Sequence, residues 1–356
     1  MPCTQTMSIG GRCIGPNHPP YIVAEMSGNH NGDIERAFRI LEAAKEAGAD
    51  AVKIQTYRAD TITIDHSGPG FVVDGGLWDG RQLYELYDEA HTPWDWHGPI
   101  FEHGRKIGIT VFSSPFDSTA VDLLESLDAP AYKIASPEII DLPLIRLVAA
   151  TGKPIVMSTG MATLEEIAEA VDAARSSGAT DIVVLHCTAA YPAPPEEANL
   201  ATIAEIARRF DVIAGLSDHT LGTVVPGIAV TLGADFIEKH FTLNRAEGGV
   251  DSAFSLEPTE LAELVRNTRI ARQTIGAPAF APTASESTVL RNRRSLYVVA
   301  PIGQGELFTA RNLRSIRPGL GMKPKYFDTV LGRRAARDIS FGEPLDPSMI
   351  EGAFQA

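Results

Sequence analysis

The chain has 356 residues, 44% of them hydrophobic and 21% charged, with a formal net charge of −14. This supplies enough apolar surface for one large domain and a small one, and the negative balance argues against nucleic acid and anionic membrane surfaces as partners. No apolar run approaches the ~20 residues that span a bilayer, and the start, MPCTQTMSIGGRC, lacks the charged-then-apolar pattern of a secretory signal.

Residues 1–20 read as a mobile leader carrying Cys3 and Cys13. Together with Cys187 these show no metal spacing, which fits a reduced, cytoplasmic protein. From Tyr21 onward, short β-rich apolar runs predict strands at Tyr21–Met26, Ala51–Tyr57, Thr110–Phe116, Ala131–Ser136, Pro154–Ser158, Ile182–Thr188, Val212–His219 and Phe236–Phe241. Helical spacing recurs between them, as at Ile34–Ala47, Ser118–Leu127, Leu164–Ser176, Leu200–Phe210 and Thr223–Leu232. Asp33 before the first helix and Thr163 with Glu166 before another are start signals. Strands alternating with helices demand parallel pairing, and eight such units over residues 21–275 predict a (β/α)8 TIM barrel. A doubly wound open sheet is the rival, but no GxGxxG follows the first strand.

The stretch Asp60–Lys106 is too long for an ordinary crossover and reads as a lid or specificity loop, with Trp78, Trp94 and Trp96 packing its helices. Leu261–Gln273 is the last barrel helix, and residues 276–290, GAPAFAPTASES within them, read as a linker. From Arg291 the chain turns basic, with eleven Lys and Arg against six Asp and Glu, so this segment carries +5 and the remainder −19. A weak internal repeat pairs Pro301–Glu306 (PIGQGE) with Asp338–Glu343 (DISFGE), and residues 291–356 read as a small β-rich domain.

Barrel enzymes carry their chemistry at the C-terminal ends of the strands. Those ends are polar here: Glu25, Lys53 with Gln55, Ser113 with Ser114, Lys133 with Ser136 and Glu138, Ser158, Thr188 with Tyr191, Ser217 with His219, and Glu238 with His240. Period-two alternation puts Lys53 with Gln55, Ser217 with His219, and Glu238 with His240 on common faces. Two lysines among hydroxyls fit a phosphorylated or carboxylated substrate. His219 and His240 suit a divalent metal completed by water and a carboxylate such as Glu25, an acid–base couple, or a hydrogen-bonded core pair. Cys187 reads as a buried structural thiol.

The motifs AEMSGNHNGD (24–33), VKIQTY (52–57), SSPFD (113–117), YKIAS (132–136), STGMAT (158–163), CTAAYP (187–192), GLSDHT (215–220), EKHFTL (238–243) and DSAFSLEP (251–258) resemble the sialic acid synthase family. Those enzymes condense phosphoenolpyruvate with an amino sugar to a nine-carbon nonulosonic acid. The tail, RRSLYVVAPIGQGE with RSIRPGLGMKPKY, resembles their antifreeze-protein-like (SAF) domain. SGNHNG, GGLWD, LYELYDEAHTPWDWH and SSPFD resemble the branch that makes pseudaminic acid, whose acceptor is a diacetamido 6-deoxy sugar.

The resemblance implies that phosphoenolpyruvate contacts Lys53, Ser114, Lys133, Ser136, Ser158 and Ser217, and that His219 and His240 hold a metal, Mn2+ first, with Mg2+ or Co2+ as substitutes. Gln55, Tyr191, Asp251 and, across a domain-swapped homodimer, Arg317 would contact the sugar. Glu25 falls beside the metal-bound water, and Glu138 completes a KIxSxE pattern. The family's CTNxYP has Ala189 in place of Asn here, which fits a different sugar. Another nonulosonic acid synthase (legionaminic or N-acetylneuraminic), a Schiff-base aldolase using Lys133 or Lys53, and a non-catalytic sugar-binding barrel are the alternative readings.

Overall fold

The computed structural model describes residues 6–354, which fall into two compact units that part between Gly276 and Ala277. Cys3, with the rest of residues 1–5, and residues 355–356 lie outside the described residues. Cys13 and Cys187 are free thiols.

The first unit is a closed barrel of eight parallel strands: β3 (Tyr21–Glu25), β4 (Ala51–Thr56), β5 (Thr110–Pro115), β6 (Tyr132–Ile134), β7 (Ile155–Ser158), β8 (Ile182–Cys187), β9 (Ile213–Asp218) and β10 (Phe236–His240). Each pairs with the next in sequence, and β10 closes on β3 with His240 opposite Glu25. Helices return between them where the spacing predicts, including Ile34–Ala47 and Leu164–Ser176. Asp33 caps the first by accepting from Glu35 N at 2.9 Å, and Thr163 with Glu166 forms the reciprocal box at the second. Further helices at His97–Ile107 and Leu142–Ala149 complete the ring.

Both strand faces are buried, for different reasons. Alternate positions such as Ile22, Ala24, Val52, Ile54, Val184 and Ala214 pack outward against the helices. Tyr21, Val23, Ala51, Phe112, Val156, Val183, Ile213 and Phe236 fill the barrel interior from the other face. Close approach inside is strict at Gly215, where an added Cβ would meet the Phe236 carbonyl oxygen at 2.3 Å.

Residues 7–14, read from sequence as part of a mobile leader, form instead an antiparallel hairpin of β1 (Met7–Ile9) and β2 (Arg12–Ile14). Met7, Ile9 and Ile14 are buried with the interior residues and plug the base of the barrel. Gly10 and Gly11 make the two-residue loop with φ of 57° and 79°, a conformation that favours Gly-Gly in such hairpins.

The second unit holds the antiparallel pair β11 (Ser295–Val298) and β12 (Leu313–Ile316) over a core of Leu296, Val298, Ile302, Phe308, Leu313, Ile339 and Leu345. The internal repeat has a physical basis here. Ile302 and Ile339 exchange both backbone hydrogen bonds, at 3.0 and 2.9 Å. Glu306 accepts from Gly303 N at 2.8 Å, and Glu343 does the same for Ser340 N at 2.7 Å.

Candidate active site

The alternation that fills the barrel interior continues to the strand ends and changes chemistry on the way. After Val23 comes Glu25, after Ala51 come Lys53 and Gln55, after Phe112 comes Ser114, after Ala131 comes Lys133, and after Phe236 come Glu238 and His240. An apolar base therefore passes directly into a polar mouth, and the side chains there are buried: Glu25, Lys53, Ser114, Lys133, Ser158, Ser217 and Glu238 are each less than 5% exposed.

A four-charge cluster occupies the floor of the mouth. Lys53 Nζ lies 3.3 Å from Glu25 Oε2 and 3.1 Å from Glu238 Oε1, while Lys133 Nζ lies 3.4 Å from the same Glu238 oxygen. Lys53 also donates to Ser114 Oγ at 3.3 Å, and Ser217 Oγ donates to Glu238 at 3.4 Å. Glu238 is thus the shared anion between two ammoniums. The motif comparison assigned it no role, although its place two residues before His240 on one face was the available signal. Gln55, expected against the sugar, donates to Glu25 Oε1 at 2.8 Å; the register of β3 and β4 sets Glu25 opposite Lys53, and Gln55 is the next residue on the same face.

Burial pushes Glu25 up to about 7, with Lys53 opposing and Glu238 reinforcing the shift. Burial would also raise Glu238, but Lys133 and Lys53 bring it below the ordinary carboxylate value. The lysines diverge: burial lowers Lys133, whereas Lys53, desolvated as well, is raised by Glu238 and Glu25. The two lysines therefore share one carboxylate that they keep acidic, Glu238, while the second, Glu25, is poised near neutrality. That is a site for an anion.

The histidines stand beside it, with ring centroids 5.4 Å apart. His219 Nδ1 donates to the Thr188 carbonyl at 2.9 Å, which leaves Nε2 as the free lone pair. His240 Nδ1 is buried without a hydrogen-bond partner, 3.9 Å from Asp251 Oδ2. Burial, then His219, keeps His240 well below its ordinary value, so it is a neutral imidazole. Asp251 accepts a hydrogen bond from Ser27. Among the described residues no three His, Cys, Asp or Glu side chains converge into a complete cage. Two imidazoles side by side, the orphaned Nδ1 of His240 and the unpartnered Glu238 Oε2 nevertheless fit a cation that keeps open positions for water and substrate.

Other expected residues fall around this centre. Tyr191 lies 4.3 Å from His219, ring to ring. Ser136 Oγ accepts from Gly160 N at 3.1 Å, and Ser158 Oγ is buried with no partner. Glu138, on a single turn after β6, also has an unpartnered buried oxygen, and burial pushes it up to about 7. Cys187 Sγ is 3.8 Å from His219 Nδ1; burial raises this thiol, but His219, Ser136 and Lys133 together bring it down. A thiol in contact with His219 was invisible from its sequence neighbours. Arg317 belongs to the second unit, directly after β12.

Fold and site together define a barrel enzyme that handles an anionic substrate on a lysine–carboxylate cluster beside two imidazoles. The NeuB family pattern matches residues 40–279 and the SAF domain pattern residues 293–351, and the chain belongs to the NeuB family. The pseudaminic acid synthase of Helicobacter pylori is 43% identical over 94% of this chain and 98% of that protein. The N,N'-diacetyllegionaminic acid synthase of Legionella pneumophila is 34% identical over 91% of this chain and 93% of that one. The crystal structure of N-acetylneuraminic acid synthetase from Leptospira borgpetersenii in complex with citrate superposes with a TM-score of 0.72 and 31% identity, covering 80% of this chain and 95% of that one.

Proposed function

We propose that the chain condenses phosphoenolpyruvate with 2,4-diacetamido-2,4,6-trideoxy-β-L-altropyranose and water, giving pseudaminic acid and phosphate. The cluster of Lys53, Lys133 and Glu238 carries the reading, because phosphoenolpyruvate brings both a carboxylate and a phosphate to its two lysines. Identity of 43% to a pseudaminic acid synthase, against 34% to a legionaminic acid synthase, supports the choice of sugar.

C3 of phosphoenolpyruvate forms the new bond to the open-chain aldehyde carbon with the electron pair of the C2–C3 double bond, while the carbonyl π pair moves onto the aldehyde oxygen, which takes up a proton and becomes a hydroxyl. Positive charge at C2 is captured by water, whose proton passes to Glu25; a carboxyl poised near 7 is suited to that transfer. The tetrahedral adduct then loses phosphate by cleavage of the C2–O bond. Lys53 and Lys133 hold the carboxylate and phosphate throughout, with Ser114, Ser136, Ser158 and Ser217 as hydroxyl donors, and Gln55 keeps Glu25 aimed. A divalent cation, Mn2+, held by His219 and His240 would polarise the aldehyde oxygen as a Lewis acid. Asp251 and Tyr191 flank the sugar in this reading, with Glu138 near the phosphate. Arg317 of a homodimer partner completes the sugar contacts.

Phosphoenolpyruvate labelled with 18O at the bridging oxygen tests the chemistry: the label should leave in phosphate, and its retention in the sugar acid would refute C–O cleavage. Phosphate release across the three candidate sugars, with and without Mn2+, tests the substrate. The lowered basicity of buried Lys133 favours one second reading, a Schiff-base aldolase. Borohydride trapping with pyruvate, and full activity in chelator, would establish it instead.

A further inference from the structure

The chemistry above uses no residue of the insertion between β4 and β5. Phe71 to Leu83 double back on themselves: Val73 N bonds Arg81 O and Leu83 N bonds Phe71 O, both at 2.9 Å. The tip is a tight Gly-Gly-Leu-Trp-Asp-Gly turn. Gly75, Gly76 and Gly80 hold φ of 81°, 76° and 77°, and Asp79 Oδ1 accepts from Gly75 N at 2.6 Å. A turn this constrained fixes the direction of the side chain it carries. Leu77 is 48% exposed, yet its neighbour Trp78 turns inward and is partly buried.

The Trp78 indole N–H donates to the Val250 carbonyl at 3.0 Å, which ties the insertion to the loop that bears Asp251 and Phe254. Its ring centroid is 5.7 Å from Tyr191 and 6.5 Å from Phe254. Tyr191 packs on His219 at 4.3 Å, and Phe254 on His240 at 4.8 Å. Three aromatic rings from three separate segments therefore wall the side of the mouth next to the histidines, and Trp78, with its only polar atom already satisfied, presents carbon alone. Such a wall takes a methyl group in preference to a hydroxyl or an ammonium.

Resting on the sugar reading above, we propose that Trp78 is a specificity-determining residue that receives a methyl group of the sugar, either that of the 4-acetamido substituent or the deoxy carbon. The test compares kcat/KM for the diacetamido trideoxy sugar with that for its 6-hydroxy analogue and for its free 4-amino analogue. These ratios are measured in wild-type enzyme, W78F and W78A, with the phosphoenolpyruvate KM followed in parallel. W78A should lower at least one ratio about tenfold or more, the scale of a methyl in an apolar slot, while W78F keeps most of it. The phosphoenolpyruvate KM should stay unchanged. The ratio that collapses identifies which methyl Trp78 reads.

A Trp78 that only anchored the loop would weaken all three sugars equally, so unchanged ratios in W78A overturn the assignment. Failure of the proposed function registers separately, as absence of phosphate release by the wild-type enzyme with the diacetamido sugar.

Discussion

Glu238→Gln is the most informative single change, because Glu238 is the only carboxylate paired with Lys133 among the described residues and one of two paired with Lys53. The amide keeps the shape and can accept from one ammonium, but the charge that stabilises two buried cations is gone. Breaking a buried ion pair costs about 3–5 kcal/mol. The lower end applies here, since Lys53 keeps Glu25 and burial already favours a neutral Lys133. A loss of about 3 kcal/mol lowers the barrel's melting temperature by about 6–12 °C for a domain of this size. Added phosphoenolpyruvate should restore more stability in the variant than it adds to the wild type, because its anionic groups replace the missing charge. A second readout is independent of folding. The Glu238 charge helps hold Glu25 up, so removing it lets Glu25 ionise at lower pH and moves the acid limb of kcat/KM downward. A variant that melts with the wild type, or whose acid limb stays near pH 7, would refute the account of the cluster.

Glu138→Gln should stabilise the barrel relative to wild type in one direction only. Its folded value is raised from 4.5 to about 7, so wild-type stability falls relative to the variant as pH rises between those values, and the gap stays constant above them. Melting temperatures at acid and mildly alkaline pH measure it, and a gap that does not widen with pH would contradict the assigned burial. His240→Ala should abolish metal-dependent turnover and Mn2+ binding followed by electron paramagnetic resonance; if only the pH optimum moved, the histidines would be an acid–base couple. Arg317→Ala should raise the sugar KM several-fold and leave the phosphoenolpyruvate KM alone, and an unchanged sugar KM would remove Arg317 from the site.

Most of the barrel was legible because its strands are apolar on both faces while its helices are amphipathic, so the two periods separate cleanly along the chain. The same property made the site legible: where an apolar run stops at Lys53, Lys133 or His240, the inward face has reached the mouth. The leader shows the opposite failure. Gly10-Gly11 between alternating residues carried a hairpin signal, but three-residue strands have no stability apart from the barrel base they cover. Trp78 reads equally well as loop packing until the turn that holds it is seen against Tyr191.

The sequence by itself determined the kinds of group present and the strand end on which each one sits, because side-chain alternation is a local property of the backbone. Closure decided what they do to one another. His240 meets Glu25 only because β10 pairs with β3, and Glu238 reaches both lysines only because strands distant in sequence surround one narrow interior. Buried charges within 3.5 Å set each other's protonation, and that coupling belongs to the closed barrel rather than to any stretch of chain.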